Sequence, residues 1–440
     1  MNAQNISEEL IDFIQDCPSM FHSVQTSRRY LDEAGFTYLA ESSAWDQLSA
    51  GKYYTQRNDS SLIAFTIGEN LDNYHFQLTA AHSDSPTYKV KAKAEVPGSN
   101  GYITLNTEAY GGMIDSTWLD RPLSVAGRVL IEEDGKICSK LVFIDDDILL
   151  IPNVAPHLNR EINKGYEYNR ACDMRPLFTC GDAHEGDFDA MIANELNIDT
   201  NQILGKDLFL VNRQKPCIWG YKKEFVSSPK LDDLQCAFAA LKSFIQAKNT
   251  HCVNVFCLFD NEEVGSNTKQ GAMSTFLPDT LSRINAGLDK SYDEYRQALA
   301  KSFLVSCDNA HAIHPNKGEL HDSANGCVMN KGLAIKEAAN QSYTTDAFSR
   351  GVFACICKKA GVPTQVFANR SDRAGGSTLG NLSNIQVSMH SVDFGLPQLA
   401  MHSSYETAGV LDTQYAIRAL TEFYNTNIQI QDASLISLGE

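Results

Sequence analysis

The sequence predicts an α/β fold: a mixed, largely parallel sheet flanked by helices, with a β-rich domain inserted into it. Two nearly continuous apolar runs, Val253–Phe259 and Phe303–Cys307, have strand length and no polar alternation, which marks strands buried on both faces. Ahead of the first run, Leu234, Phe238, Leu241 and Ile245 fall on one helical face, so helix and strand alternate as in a sheet covered on both sides. From about Lys91 to Phe225 the texture changes to short β-type stretches broken by glycine, which reads as the insertion.

Taken in order, Ser7 ahead of Leu10, Ile11, Phe13 and Ile14 predicts a capped amphipathic first helix. Phe76, Leu78 and Ala80 alternate with polar partners in a strand that ends on His82. Within the insertion, strands are expected at Tyr102–Leu105, Val129–Glu132 and Ile137–Ile144, the last two joined through a hairpin turn at Asp134-Gly135. A final helix over Thr413–Tyr424 turns Ala416, Leu420 and Tyr424 inward. The expected division is residues 1–90 and 227–440 for one α/β domain and 91–226 for the β-rich insertion.

With 440 residues, 43% of them hydrophobic, the chain can bury a large core in two or three domains. Its 54 acidic residues outweigh 37 Lys plus Arg, for a formal charge of −17 spread along the chain. That balance argues against nucleic acid as a partner, and it requires any acidic substrate to be held by nearby cations, since charges beyond about 8 Å are screened. Glu8, Glu9, Asp12 and Asp16 occupy the stretch where a secretion signal would be basic and then apolar. No apolar run is long enough for a membrane span. A cytoplasmic protein is expected, with its 12 cysteines as reduced thiols. Neither Cys252 with Cys257 nor Cys355 with Cys357 has zinc-finger spacing.

Polar residues gather at five places where strands end, the edge at which α/β sheets bind ligands. His82 and Asp84 follow the first strand, a His-x-Asp pair suited to a metal ligand and an orienting acid. Asp232 and Asp233 follow Pro229-Lys230-Leu231 at the start of a helix, where a helix cap is the plainer reading. Asp260-Asn261-Glu262-Glu263 lies directly beyond Val253–Phe259, and acids packed there repel one another unless a cation compensates them. Asp308, His311 and His314 follow Phe303–Cys307, and His402 follows Pro397–Met401. Histidines together with several carboxylates form the N and O donor set of zinc, manganese or cobalt.

In this order, His82, Leu231-Asp232, Asp260–Ser266, Asp308 with His311 and His314-Pro315-Asn316, Asn369–Asp372, Gly375–Gly380 and Met401-His402-Ser403 make the chain resemble the aspartyl aminopeptidase family of metallopeptidases. The insertion matches as well, through Tyr110-Gly111-Gly112, Thr117-Trp118, Asp120-Arg121 and Pro156-His157-Leu158. The resemblance implies a zinc aminopeptidase-like fold with a dimerisation insertion, and a dinuclear metal-dependent enzyme that removes N-terminal Asp or Glu from peptides. It implies that Asp232 bridges two divalent ions, most simply zinc, with His82 and Asp308 on one and Glu263 and His402 on the other. Glu262 matches the general base, Asp84 the acid that orients His82, and Lys336 the lysine that pairs with the acidic side chain of the substrate. Tyr343 and His314 match further substrate contacts. The family assembles as tetrahedral homododecamers around an enclosed chamber, which limits substrates to peptides.

The sequence departs from that pattern in places. Asp233 stands where the family has asparagine, Asp372-Arg373-Ala374 replaces Asp-Met-Pro, and Ser116 stands where some relatives carry a histidine that reaches a neighbouring subunit. Two other readings therefore accompany the acidic preference: the same chemistry on neutral N-termini, and a catalytically silent assembly or cargo-binding protein.

Overall fold

Nine strands build the sheet that carries the chemistry, in the spatial order Thr37–Tyr38, Gly51–Arg57, Ser61–Ile67, Val253–Phe259, Phe76–His82, Phe303–Cys307, His390–Gly395, Leu333–Glu337 and Thr364–Ala368. The computed structural model describes residues 2–98, 101–181, 184–248, 250–373, 375–432 and 434–439. The four central strands, from Val253–Phe259 to His390–Gly395, run parallel, and antiparallel pairs join on either side. The mixed, largely parallel sheet expected from the sequence is the one found.

Alternate residues of Val253–Phe259 enter different cores. Phe256 and Leu258 pack with the helices Ala3–Gln15, Leu231–Gln246 and Val410–Asn425, whereas Val255, Cys257 and Phe259 pack with Phe276–Gly287, Tyr292–Ala300 and Leu379–Gln386. Both faces are dry, so no polar alternation survives in that strand. Each fully buried Leu or Phe contributes about 1.5–3 kcal/mol to holding this arrangement. The alternation in Phe76–His82 has a different meaning from a solvated face, because every residue of this strand is buried. Gln77 donates to the Phe423 carbonyl at 2.8 Å, and Thr79 shares a 2.6 Å hydrogen bond with the Tyr424 hydroxyl, so these polar groups face a helix rather than water.

Two helix starts differ from expectation. The first helix begins at Ala3, capped by the Asn2 side chain accepting from the Asn5 amide at 2.9 Å. Ser7 lies inside it, buried, donating to the Val410 carbonyl. Asp232 and Asp233 do not cap their helix either: both have non-helical backbone angles within its first turn.

A second sheet of six strands, all antiparallel, draws its strands from residues 87–212 in the spatial order Lys136–Phe143, Leu123–Glu133, Ile203–Asn212, Thr87–Pro97, Tyr102–Tyr110 and Leu177–Cys180. Asp134 and Gly135 both have positive φ in its first hairpin, the two-residue turn that a right-handed strand twist favours. A five-stranded sheet draws on Cys217–Trp219, Phe225–Ser228, Ala310–His311, Pro397–Leu399 and Glu406–Gly409. Among the described residues no helix is long and apolar enough to cross a membrane, and no disulfide joins any of the twelve cysteines.

Candidate metal centre

Because Val253–Phe259, Phe76–His82 and Phe303–Cys307 are parallel neighbours, their carboxyl ends share one edge of the sheet, and the residues that follow must meet there. His82 ends one strand, Asp260–Glu263 follows the second and Asp308 the third. The chain turns sharply at each polar segment. Lys230, Asn261 and His402 adopt left-handed backbone with φ of 59°, 62° and 66°, each costing on the order of 1–3 kcal/mol that only the surrounding structure can hold.

Asp232 stands between two imidazoles. Its Oδ1 lies 3.6 Å from His82 Nε2 and its Oδ2 lies 3.4 Å from His402 Nε2. Candidate ligand atoms of His82, Asp232, Asp233 and Asp308 all fall within 4.8 Å of one another, as do those of Asp232, Glu263 and His402. The two groups share Asp232. Glu263 Oε2 is 3.4 Å from His402 Nε2, and Glu262 forms a further group with His82 and Glu263. The other ring nitrogens are spoken for: His82 Nδ1 faces the Asp84 carbonyl at 3.0 Å and its carboxylate at 3.3 Å, and His402 Nδ1 faces the Gly112 carbonyl at 2.5 Å. With each Nδ1 engaged by an acceptor, Nε2 is the nitrogen turned toward the acids and the one left to bind a metal.

The charges show what this arrangement lacks. Burial, with the neighbouring acids, pushes Glu262 up to about 8 and Glu263 well above the carboxylate range. Burial is also the main reason that Asp308 and Asp233 are raised. Burial opposes ionisation of Asp232 too, but the imidazoles of His402 and His82 beside it outweigh burial and hold that carboxyl low. Both histidines rise despite burial, His82 well above its ordinary value and His402 to about 9 through Asp232. Protons thus occupy places where a divalent cation would serve every group at once. Asp232 Oδ1, Asp233 Oδ1 and Glu263 Oε1 are buried without a hydrogen-bond partner, a cost that coordination removes. The donor set of imidazole and carboxylate suits zinc.

Around this centre the structure adds Glu406, for which the sequence predicts no role, and further contacts for Asp84 and Asp233. Glu406 accepts the backbone amides of Asp232 at 2.9 Å and His402 at 2.8 Å, tying two of the segments together. Asp84 accepts from the amides of both Glu262 and Glu263 at 3.2 Å and from the Tyr110 hydroxyl at 2.7 Å. Asp233 accepts the His82 amide at 3.2 Å, which places its extra acid behind the ligands rather than in solvent.

The centre opens into a cavity of about 470 Å³ whose far wall holds Lys336, Tyr343, His311 and Phe367. Lys336 is buried, not solvated: only 3% of it is exposed, with Nζ 3.5 Å from Asp308 Oδ2 and 5.4 Å from the Tyr343 ring centre. His314 is not in this cavity but lines an adjoining one, together with Arg373. Ala374 lies outside the described residues. Ser116 sits in the short 3₁₀ turn Asp115–Trp118 of the insertion.

The family model of aminopeptidase I zinc metalloproteases (M18) matches residues 13–424. A probable M18 family aminopeptidase 2 from Clostridium novyi is 45% identical over 430 residues, covering 96% of this chain and 99% of that protein. One from Ectopseudomonas mendocina is 36% identical over 429 residues, with 96% and 99% covered. Among solved structures, a chain of the Ape4 and Nbr1 complex superposes with a TM-score of 0.92 at 36% identity, covering 96% of this chain and 86% of that one. The S. cerevisiae mApe1 dodecamer gives 0.85 at 27% identity, with 96% and 97% covered.

Proposed function

The chain belongs to the M18 family of zinc aminopeptidases, and from that premise we propose a dinuclear enzyme that removes Asp or Glu from the N-terminus of peptides. The observation that carries the reading is the position of Asp232, one oxygen toward His82 and the other toward His402, with Asp308 and Glu263 completing a group on either side. In this reading His82, Asp232 and Asp308 hold one ion and Asp232, Glu263 and His402 the other. Bound there, the ions supply Lewis-acid polarisation of the scissile carbonyl and acidify water.

The remaining work falls to the protein. Glu262 collects the proton of the attacking water and returns it to the leaving amine, so no covalent intermediate is needed. Its main chain is fixed by Asp84, which also faces His82, so the acid that orients the ligand also places the base. Lys336 reads the substrate. It is paired with Asp308, and once that carboxylate serves an ion, Lys336 becomes the cavity's uncompensated cation, ready for an acidic side chain beside Tyr343.

Replacing Lys336 by Met, which keeps its length, is expected to lower kcat/KM on peptides with N-terminal Asp or Glu by about 100-fold, the loss typical of a buried charge pair. Peptides beginning with Ala should change only a few-fold. Equal losses on both sets would reject the specificity role.

We also propose a cytoplasmic, tetrahedral homododecamer in which residues 91–226 form the dimerisation insertion; the relative that assembles as a dodecamer supports this. Light scattering on the purified protein should return the mass of twelve chains, and a monomer would refute the assembly.

A further inference from the structure

The cavity that adjoins the metal site has a charge opposite to that of the molecule as a whole. It measures about 550 Å³, is lined from segments 311–322, 367–373 and 398–401, and shares His311, Phe367, Gly376 and Met401 with the metal cavity. Within a chain of net charge −17, Lys317, Arg370 and Arg373 converge on it. Asp322 is the one carboxylate among the described lining residues, and it is turned into its own loop. It accepts from the Ala324 amide, the Asn325 amide and the Asn325 side chain at 2.8–3.0 Å.

The cations are not spent in the same way. Arg370 is held by Asp372 at 2.9 Å and by the Glu319 carbonyl, which fixes its guanidinium at the wall. Lys317 has Glu319 at a loose 3.8 Å, and among the described residues Arg373 has no ion-pair partner. Two imidazoles also line it, His314 and His321. His321 Nε2 accepts the His314 amide at 3.1 Å and His314 Nδ1 accepts the Asn316 amide at 3.1 Å, so in the neutral rings the proton sits on the opposite nitrogen of each. A cavity with cations, spare N–H donors and a self-satisfied acid is built to receive a carboxylate.

We propose that this cavity is a subsite for a carboxylate on the part of the peptide that follows the cleaved bond, either an Asp or Glu side chain or the terminal carboxylate of a short peptide. A peptide whose first residue fills the Lys336 end of the metal cavity must continue past the shared rim, where the second cavity begins. Arg373 is exposed, and it is one of the positions at which the sequence departs from the family pattern. The inference rests on the aminopeptidase reading but not on the preference for an acidic first residue.

The test compares kcat/KM for four tripeptides that begin with whichever residue X is cleaved fastest: X-Ala-Ala-NH2, X-Ala-Ala, X-Glu-Ala-NH2 and X-Ala-Glu-NH2. At low salt, at least one carboxylate-bearing peptide should exceed X-Ala-Ala-NH2 by about five- to tenfold, as two partly solvated ion pairs would give. The advantage should shrink as salt is added, fall toward one in the Lys317→Gln, Arg373→Gln double variant, and persist in Arg373→Lys. The peptide that carries the advantage identifies the source of the carboxylate. A ratio near one in the unmodified enzyme, or an undiminished ratio in the double variant, overturns the proposal. An X other than Asp or Glu would reject the N-terminal preference while leaving these ratios to decide the subsite.

Discussion

Replacing Glu262 with Gln is expected to abolish turnover while leaving the metal content of the protein intact. Glu262 is the acid that belongs to neither ligand group built on Asp232, so the amide removes a proton acceptor without removing a donor to either ion. A positioned general base contributes about 10²–10⁴-fold, and kcat should fall by about that much with KM nearly constant. Stability gives an independent check. In the metal-free fold burial holds Glu262 at about 8, against roughly 4.3 for an exposed glutamate. The folded state then binds more protons than the unfolded state between those values, and stability declines as pH rises from one to the other. Glutamine cannot titrate, so the metal-free variant should melt higher than the metal-free parent at pH 8. Near-normal rates in this variant would remove Glu262 from the mechanism.

Asp232→Asn should have the opposite profile, losing metal and activity together. The change deletes one negative charge and one of the two oxygens that face His82 and His402, and an amide nitrogen cannot coordinate a cation. The fold should survive, because the Asp232 backbone amide keeps its bond to Glu406. His402, raised to about 9 chiefly by Asp232 acting against burial, should return toward the ordinary histidine range. The pair of variants thus separates two roles that a rate measurement alone would confuse, the one proposed for Glu262 in the chemistry and the one proposed for Asp232 in holding the centre.

Much of this was legible in the sequence where local pattern and tertiary context agree. Val253–Phe259 and Phe303–Cys307 were read to their exact ends because central parallel strands are apolar on both faces. The final helix was found but read short, at Thr413–Tyr424 instead of Val410–Asn425, since Val410 and Leu411 carry no cap signal. The first helix was given Ser7 as a cap because serine favours that position, yet Ser7 spends its hydroxyl on Val410, 403 residues away. Glu406 shows the same limit. Its bonds to the amides of Asp232 and His402 span 174 and 4 residues, and the longer one depends on the pairing of Phe225–Ser228 with Glu406–Gly409. The burial of Lys336 beside Asp308 depends on strand pairing with His390–Gly395, which no local pattern around the lysine announces. The His314 loop, likewise, is steered by pairing at Ala310-His311 into the second cavity.

Elemental analysis of metal per folded chain, with the parent and Asp232→Asn prepared side by side in zinc-buffered solution, tests the shared-carboxylate centre most directly. Two ions per chain in the parent and close to none in the variant is the predicted result. One ion per chain in a fully active parent, or two retained by Asp232→Asn, would contradict it.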